Sequence, residues 1–166
     1  MRSFREILFG SRDSIAGTVY GTIVAMGAIA AAASVPDTRA GHLAGAVAAT
    51  VLVFWIAHVY AHALGETVRL GRRLDWQELV SVARRELAIA LAGVAPVAAL
   101  VLGALGILRE STAGWLAMGI GLATLLIQGV RYASVEHLTG LGTAVTIATN
   151  VGLGLAIVGL KVAVGH

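Results

Sequence analysis

Two imidazoles and a carboxylate, His58, His62 and Glu66, recur every fourth residue within an otherwise apolar stretch. On a helix of 3.6 residues per turn this interval sets the three side chains on one slowly drifting stripe, each a turn beyond the last. Imidazole with carboxylate suits two kinds of chemistry. Such groups can hand on a proton, or they can ligate a borderline divalent ion such as iron, zinc or manganese with groups from another helix. The same residues also admit a structural role, with both histidines neutral and hydrogen-bonded to backbone or hydroxyl groups, and Trp55 and Tyr60 marking tight packing or an interface. An enzyme is not expected: the sequence holds no nucleophile motif, phosphate loop or nucleotide fingerprint, and the stripe resembles a metallohydrolase ligand set only loosely.

These residues sit in a chain whose composition calls for lipid as its solvent. Of 166 residues, 58% are hydrophobic and 13% charged, and the mean hydropathy is +0.87, too apolar a mix for a water-soluble domain of this length. The charges are gathered into short stretches between long runs of Ala, Val, Leu, Ile and Gly, and those stretches read as loops outside the membrane. Cysteine is absent, which leaves neither a disulfide framework nor a thiolate metal site. A sequence pI near 10.0 does not point to nucleic acid, because the net charge is only +3 and the arginines cluster at the ends of the apolar runs.

Five segments pass the length and polarity test for a membrane span: about 14–35, 42–65, 87–108, 112–134 and 140–164. The first follows Arg2 and Arg5 as a signal peptide would, but its apolar run is too long for one and reads as a retained helix. Arg2, Arg5 and Arg12 precede the first span, and Arg69, Arg72, Arg73, Arg84 and Arg85 lie between the second and third. By the positive-inside rule both regions, and so the N-terminus, are expected in the cytoplasm, with the C-terminus outside. The expected fold is therefore all-α: residues 1–166 form a single transmembrane domain, a polytopic bundle of five helices. A bacterial inner membrane is the preferred location.

An ionisable side chain at membrane depth costs about 2.5–3.5 kcal/mol on insertion scales, so each one invites a functional question. Besides the stripe, Asp13 opens the first span and Lys161 ends the fifth, with Gln128 and Asn150 as uncharged additions. Asp13 suits the positive end of a helix dipole, where it or Ser11 would cap free amides. Lys161 is expected to snorkel, His137 and His166 to face solvent, and His42 to lie at an interface. Between the second and third spans, Leu74, Leu79, Val82 and Ala83 can share a helical face, with Asp75, Glu78, Arg84 and Arg85 largely elsewhere. This predicts a cytoplasmic amphipathic helix over about 74–86. It is either a headgroup-level connector or an ion-collecting surface, with Glu78 and Glu86 as candidate ligands. The pairs Gly17/Gly21 and Gly41/Gly45 predict close helix approach, and Pro96 a kink in the third span.

Two local sequences carry a family resemblance. The run from Gly10 through Asp13 to Gly17, ahead of a small-residue helix, resembles the Gly-x-x-Asp-Gly opening of the vacuolar iron transporter family, with Ser14 where that family has glycine. Ala61-His62-Ala63-Leu64-Gly65-Glu66 is similar to its Ser-Met-x-x-Gly-Glu stretch, with His62 at the methionine position. The resemblance implies five transmembrane helices, a glutamate-bearing insert after the second, and a homodimeric exchanger moving ferrous or related divalent ions out of the cytoplasm against protons. It also implies that Asp13, His62 and Glu66 line the path.

The expected function is thus divalent-metal transport, with Asp13, His58, His62, Glu66, Glu78 and Glu86 as candidate metal ligands. No resident cofactor is expected, and the metal ion is substrate. The expected partners are the lipid bilayer, a second copy of the chain, divalent cations and protons, and no nucleic acid. The rival readings are a non-transporting membrane scaffold or accessory subunit, whose arginine-rich loop docks a partner or anionic lipid, and a small cation or proton channel.

Overall fold

The computed structural model describes residues 12–32, 35 and 38–164, which hold helices and no strands. In chain order these are α1 (Arg12–Ala32), α2 (Ala40–Leu70), α3 (Trp76–Arg85), α4 (Leu87–Ala92), α5 (Val94–Ala104), α6 (Glu110–Val135) and α7 (Leu141–Val164). Four of them, α1, α2, α6 and α7, are long and apolar enough to cross a membrane, and the bent run through α4 and α5 makes a fifth if it counts as one span. Large apolar side chains stand exposed along α2, α6 and α7, among them Val53, Ile56, Leu116, Ile127 and Leu155. That surface is consistent with an integral membrane protein.

α1 is the central element, packed against α2, α4, α6 and α7. Its Ala25, Met26 and Ile29 are fully buried and meet Val47 of α2, Leu100 of α5, and Met118 and Leu125 of α6 in one apolar core. Lipid exerts little hydrophobic force between helices, so close contact along small-residue faces must hold the bundle. The contact at Gly21 is the tightest of these. A Cβ there would run into the Ile89 carbonyl oxygen and lie 2.9 Å from both the Ile89 Cα and the Ala92 Cβ. Gly17 repeats the approach one turn earlier, 3.1 Å from the Ala88 Cβ by the same construction. The second expected pair behaves differently: a Cβ at Gly45 meets nothing within 4 Å, and one at Gly41 makes only an ordinary contact with Ala104.

The expected third span, about 87–108, is broken. The axis of residues 76–92 and that of α5 differ by 42°, and Gly93 is the break. Pro96 explains its position: it has no N–H for the Ala92 carbonyl, and in a continuous helix its ring would crowd that oxygen. The chain instead bonds Gly93 N–H back to the Ala90 carbonyl and restarts with Val97 N–H on the Gly93 carbonyl. Glycine also eases the packing at the bend, since a Cβ would sit 3.1 Å from both methyl carbons of Val51 on α2.

α2 runs 31 residues, beyond the expected 42–65 at both ends. At 1.5 Å per residue it is about 46 Å long, more than a straight crossing of a hydrocarbon core of about 30 Å needs. Its buried residues, Ala40, Leu43, Ala44, Val47 and Val51, all lie in the first half. The second half carries the polar stripe.

Gly21→Ala should lower the unfolding midpoint in detergent micelles, by an overpacking cost of about 1–3 kcal/mol. Gly27→Ala, where a Cβ meets nothing within 4 Å, should leave it unchanged or slightly higher. Equal midpoints for the two variants would contradict the close approach.

Candidate metal centre

Three side chains from two parts of the chain converge beside the second half of α2. Ligand atoms of His58, His62 and Glu86 all lie within 4.8 Å of one another. The histidines come from adjacent turns of α2, with ring centroids 5.3 Å apart. Glu86 comes from the junction of α3 and α4, where its N–H bonds to the Val82 carbonyl and its own carbonyl accepts from Ile89. The Glu86 side chain is 18% exposed and that of His62 55%, so the cluster is open on the His62 side.

Local sequence explains each placement. Asp75 and Glu78 form a reciprocal capping box: the Asp75 carboxylate accepts from the Glu78 N–H at 2.8 Å, and Glu78 Oε2 accepts from the Asp75 N–H at 2.9 Å. This starts α3 at a defined residue. Trp55 on α2 donates its indole N–H to the Ala83 carbonyl at 3.3 Å, tying the last turn of α3 to α2 three residues before Glu86. On the other side, Tyr20 of α1 lies against His58 with centroids 4.9 Å apart, and against Phe54 at 6.1 Å. This limits the rotamers open to the His58 ring.

His62 Nδ1 is 3.5 Å from Glu86 Oε1 and 3.2 Å from the His58 carbonyl oxygen. When Nδ1–H donates to that carbonyl, Nε2 keeps its lone pair for a cation. Tetrahedral coordination at about 2.1 Å per ligand separates ligand atoms by roughly 3.4 Å. His62 Nδ1 lies 3.5 Å from Glu86 Oε1, a spacing that fits when Nδ1 itself is the ligand; when Nδ1–H donates to the His58 carbonyl the ligand is Nε2, and the side chains must rotate to bring it to that spacing. Two imidazoles and one carboxylate would leave a fourth tetrahedral position open for water.

The structure redistributes the other candidates. Glu66 does not continue the stripe into the cluster: Arg69, three residues on, holds its Oε2 from Nη2 at 2.6 Å and Nε at 2.9 Å. Glu78 lies outside the cluster: Arg72 binds both its oxygens, at 2.6 and 2.9 Å, while it closes the capping box. The hydrogen bond from Arg72 and that from the Asp75 N–H hold its carboxyl at a pKa of about 2. The Asp13 side chain, Ser11 and His166 lie outside the described residues. Lys161 is partly exposed, with its Nζ 4.3 Å from the centre of the Trp115 ring. His137 is exposed and takes a left-handed backbone conformation, φ 53°. Gln128 is buried and accepts from Arg131, and Asn150 donates to the Thr146 carbonyl.

Sequence reasoning missed Tyr20 and the Trp55 tie. No spacing rule points to Tyr20, since its contact crosses between helices; Trp55, on the turn before His58, marked packing and no specific acceptor. No protein-family model, curated protein or solved structure matches the chain.

The Glu78 carboxyl should titrate near pH 2, and Arg72→Ala should move its midpoint up toward 4.5, as followed by carboxyl carbon chemical shifts. The native pKa lies below the ordinary value, so this carboxylate's contribution to α3 is complete above about pH 4.5 and is lost as pH falls through about 2. A midpoint unmoved by Arg72→Ala would contradict the pairing.

Proposed function

We propose that the chain carries a divalent metal ion of the iron or manganese kind out of the cytoplasm in exchange for protons, with His58, His62 and Glu86 as its ion site. The convergence of those three ligand atoms within 4.8 Å carries the reading. Ligands bind a cation only when deprotonated, so metal and proton compete for the same imidazoles and carboxylate, which is the physical basis for exchange. A site of borderline nitrogen and hard oxygen donors suits iron, manganese or zinc better than a soft monovalent ion.

In this reading the broken run through α4 and α5 crosses as one span, giving five in all, and α3 lies at the membrane surface as an amphipathic connector. Glu86 then sits where the connector enters the membrane, at the entrance to the bundle from the arginine-rich side. The Gly93 break lets α4 shift against α5, so the carboxylate can approach or leave the histidines without disturbing the core around Met26 and Leu100. The likeness to the vacuolar iron transporters further implies a homodimer.

Proteoliposomes holding the purified protein should take up ferrous, manganous or zinc ions under a proton gradient. Removal of one ligand by His58→Ala, His62→Ala or Glu86→Gln should reduce flux at least tenfold, whereas Glu78→Gln should leave it within about twofold. Wild-type protein that moves no divalent ion under any gradient would overturn the transport reading. Flux that survives Glu86→Gln and fails in Glu66→Gln would return the site to the sequence stripe.

A further inference from the structure

The two sides of α3 carry different chemistry. Helical phase sets Trp76, Gln77, Ser81, Arg84 and Arg85 on one half of the cylinder and Glu78, Leu79 and Val82 on the other. The first five are exposed and Val82 is buried. The carboxylates that would neutralise this helix are engaged elsewhere: Glu78 with Arg72, Glu86 with His62, and Asp75 with the Glu78 amide. Among the described residues no carboxylate forms a salt bridge with Arg73, Arg84 or Arg85. Beside them Trp76 is 75% exposed, a large indole that stands mostly clear of the protein.

We infer that this outward face of α3, with Arg73, binds the headgroups of anionic phospholipids. The segment joins two membrane-length apolar runs over a short distance, so it cannot stand far from the end of the hydrocarbon. Indole partitions to headgroup depth. Guanidinium pairs with phosphate through two parallel N–H bonds and is desolvated more readily than an ammonium. Arginines held within about 8 Å of an anionic leaflet keep most of their attraction at physiological salt. With Glu78 and Asp75 engaged by Arg72 and the helix start, Arg73, Arg84 and Arg85 leave an excess of positive charge on this face, which an anionic leaflet complements and a zwitterionic one does not. The lipid contact needs no metal bound at the His58, His62 and Glu86 cluster.

The test is native mass spectrometry of the full chain in micelles with equal amounts of phosphatidylglycerol and phosphatidylcholine. Wild type should retain phosphatidylglycerol preferentially, and less so as salt rises. Arg84→Gln with Arg85→Gln should weaken that preference roughly 25-fold, at roughly fivefold per arginine. Arg84→Lys with Arg85→Lys should keep most of it. Arg39→Gln with Arg109→Gln, at the opposite end of the bundle, should leave it intact. The inference fails if wild type shows no preference between the two lipids, if the glutamine pair keeps the preference with unchanged helix content, or if the exposed arginines retain a copurifying protein or nucleic acid in place of lipid.

Discussion

At Gly21 the backbone of α1 touches the backbone of α4 at Ile89, and the position of Glu86 depends on that contact. Ile89 donates its N–H to the Glu86 carbonyl, so the residue that fixes the height of α4 against α1 also fixes where the chain leaves α3. Glycine makes this possible, because any Cβ would collide with the Ile89 carbonyl oxygen. A second glycine, Gly93, lets the same run bend around Val51 of α2. Two side chains that are absent thus decide how closely a carboxylate approaches the histidines on the neighbouring helix.

The acids around the cluster are sorted by local arginines. Arg69 takes Glu66 within one turn of α2, and Arg72 takes Glu78 across the short loop that ends α2. Exposed ion pairs of this kind contribute little to stability. Their effect is on geometry: they occupy two of the three glutamates within reach, and Glu86 is the one left facing an imidazole. The same pairings leave Arg73, Arg84 and Arg85 on the outside, so a single distribution of charge shapes both the candidate ion site and the candidate lipid surface.

Much of the helical architecture was legible in the chain. Runs of about twenty apolar residues between arginine-bearing stretches located the long helices to within a few residues at most ends, and Gly17 and Gly21 marked a close approach correctly. The exact break of the third apolar run was not, because Pro96 disturbs the carbonyl four residues earlier and the advantage of glycine there comes from Val51 lying opposite. In the site, four-residue spacing correctly joined His58 to His62. It could not choose between Glu66 and Glu86, since an i, i+3 arginine competes for the first and the second arrives through tertiary packing. Tyr20 was invisible for the same reason: its partner His58 lies on another helix, and a single sequence records no such pairing.

That His58, His62 and Glu86 jointly hold one divalent ion is tested most directly by X-ray absorption of the protein loaded with a single equivalent of zinc or manganese. The account predicts a mixed nitrogen and oxygen shell with the outer scattering of two imidazoles, reduced to one imidazole in His58→Ala or His62→Ala, and a loss of one oxygen ligand in Glu86→Gln. An all-oxygen shell, or a spectrum unchanged by the histidine substitutions, would contradict it.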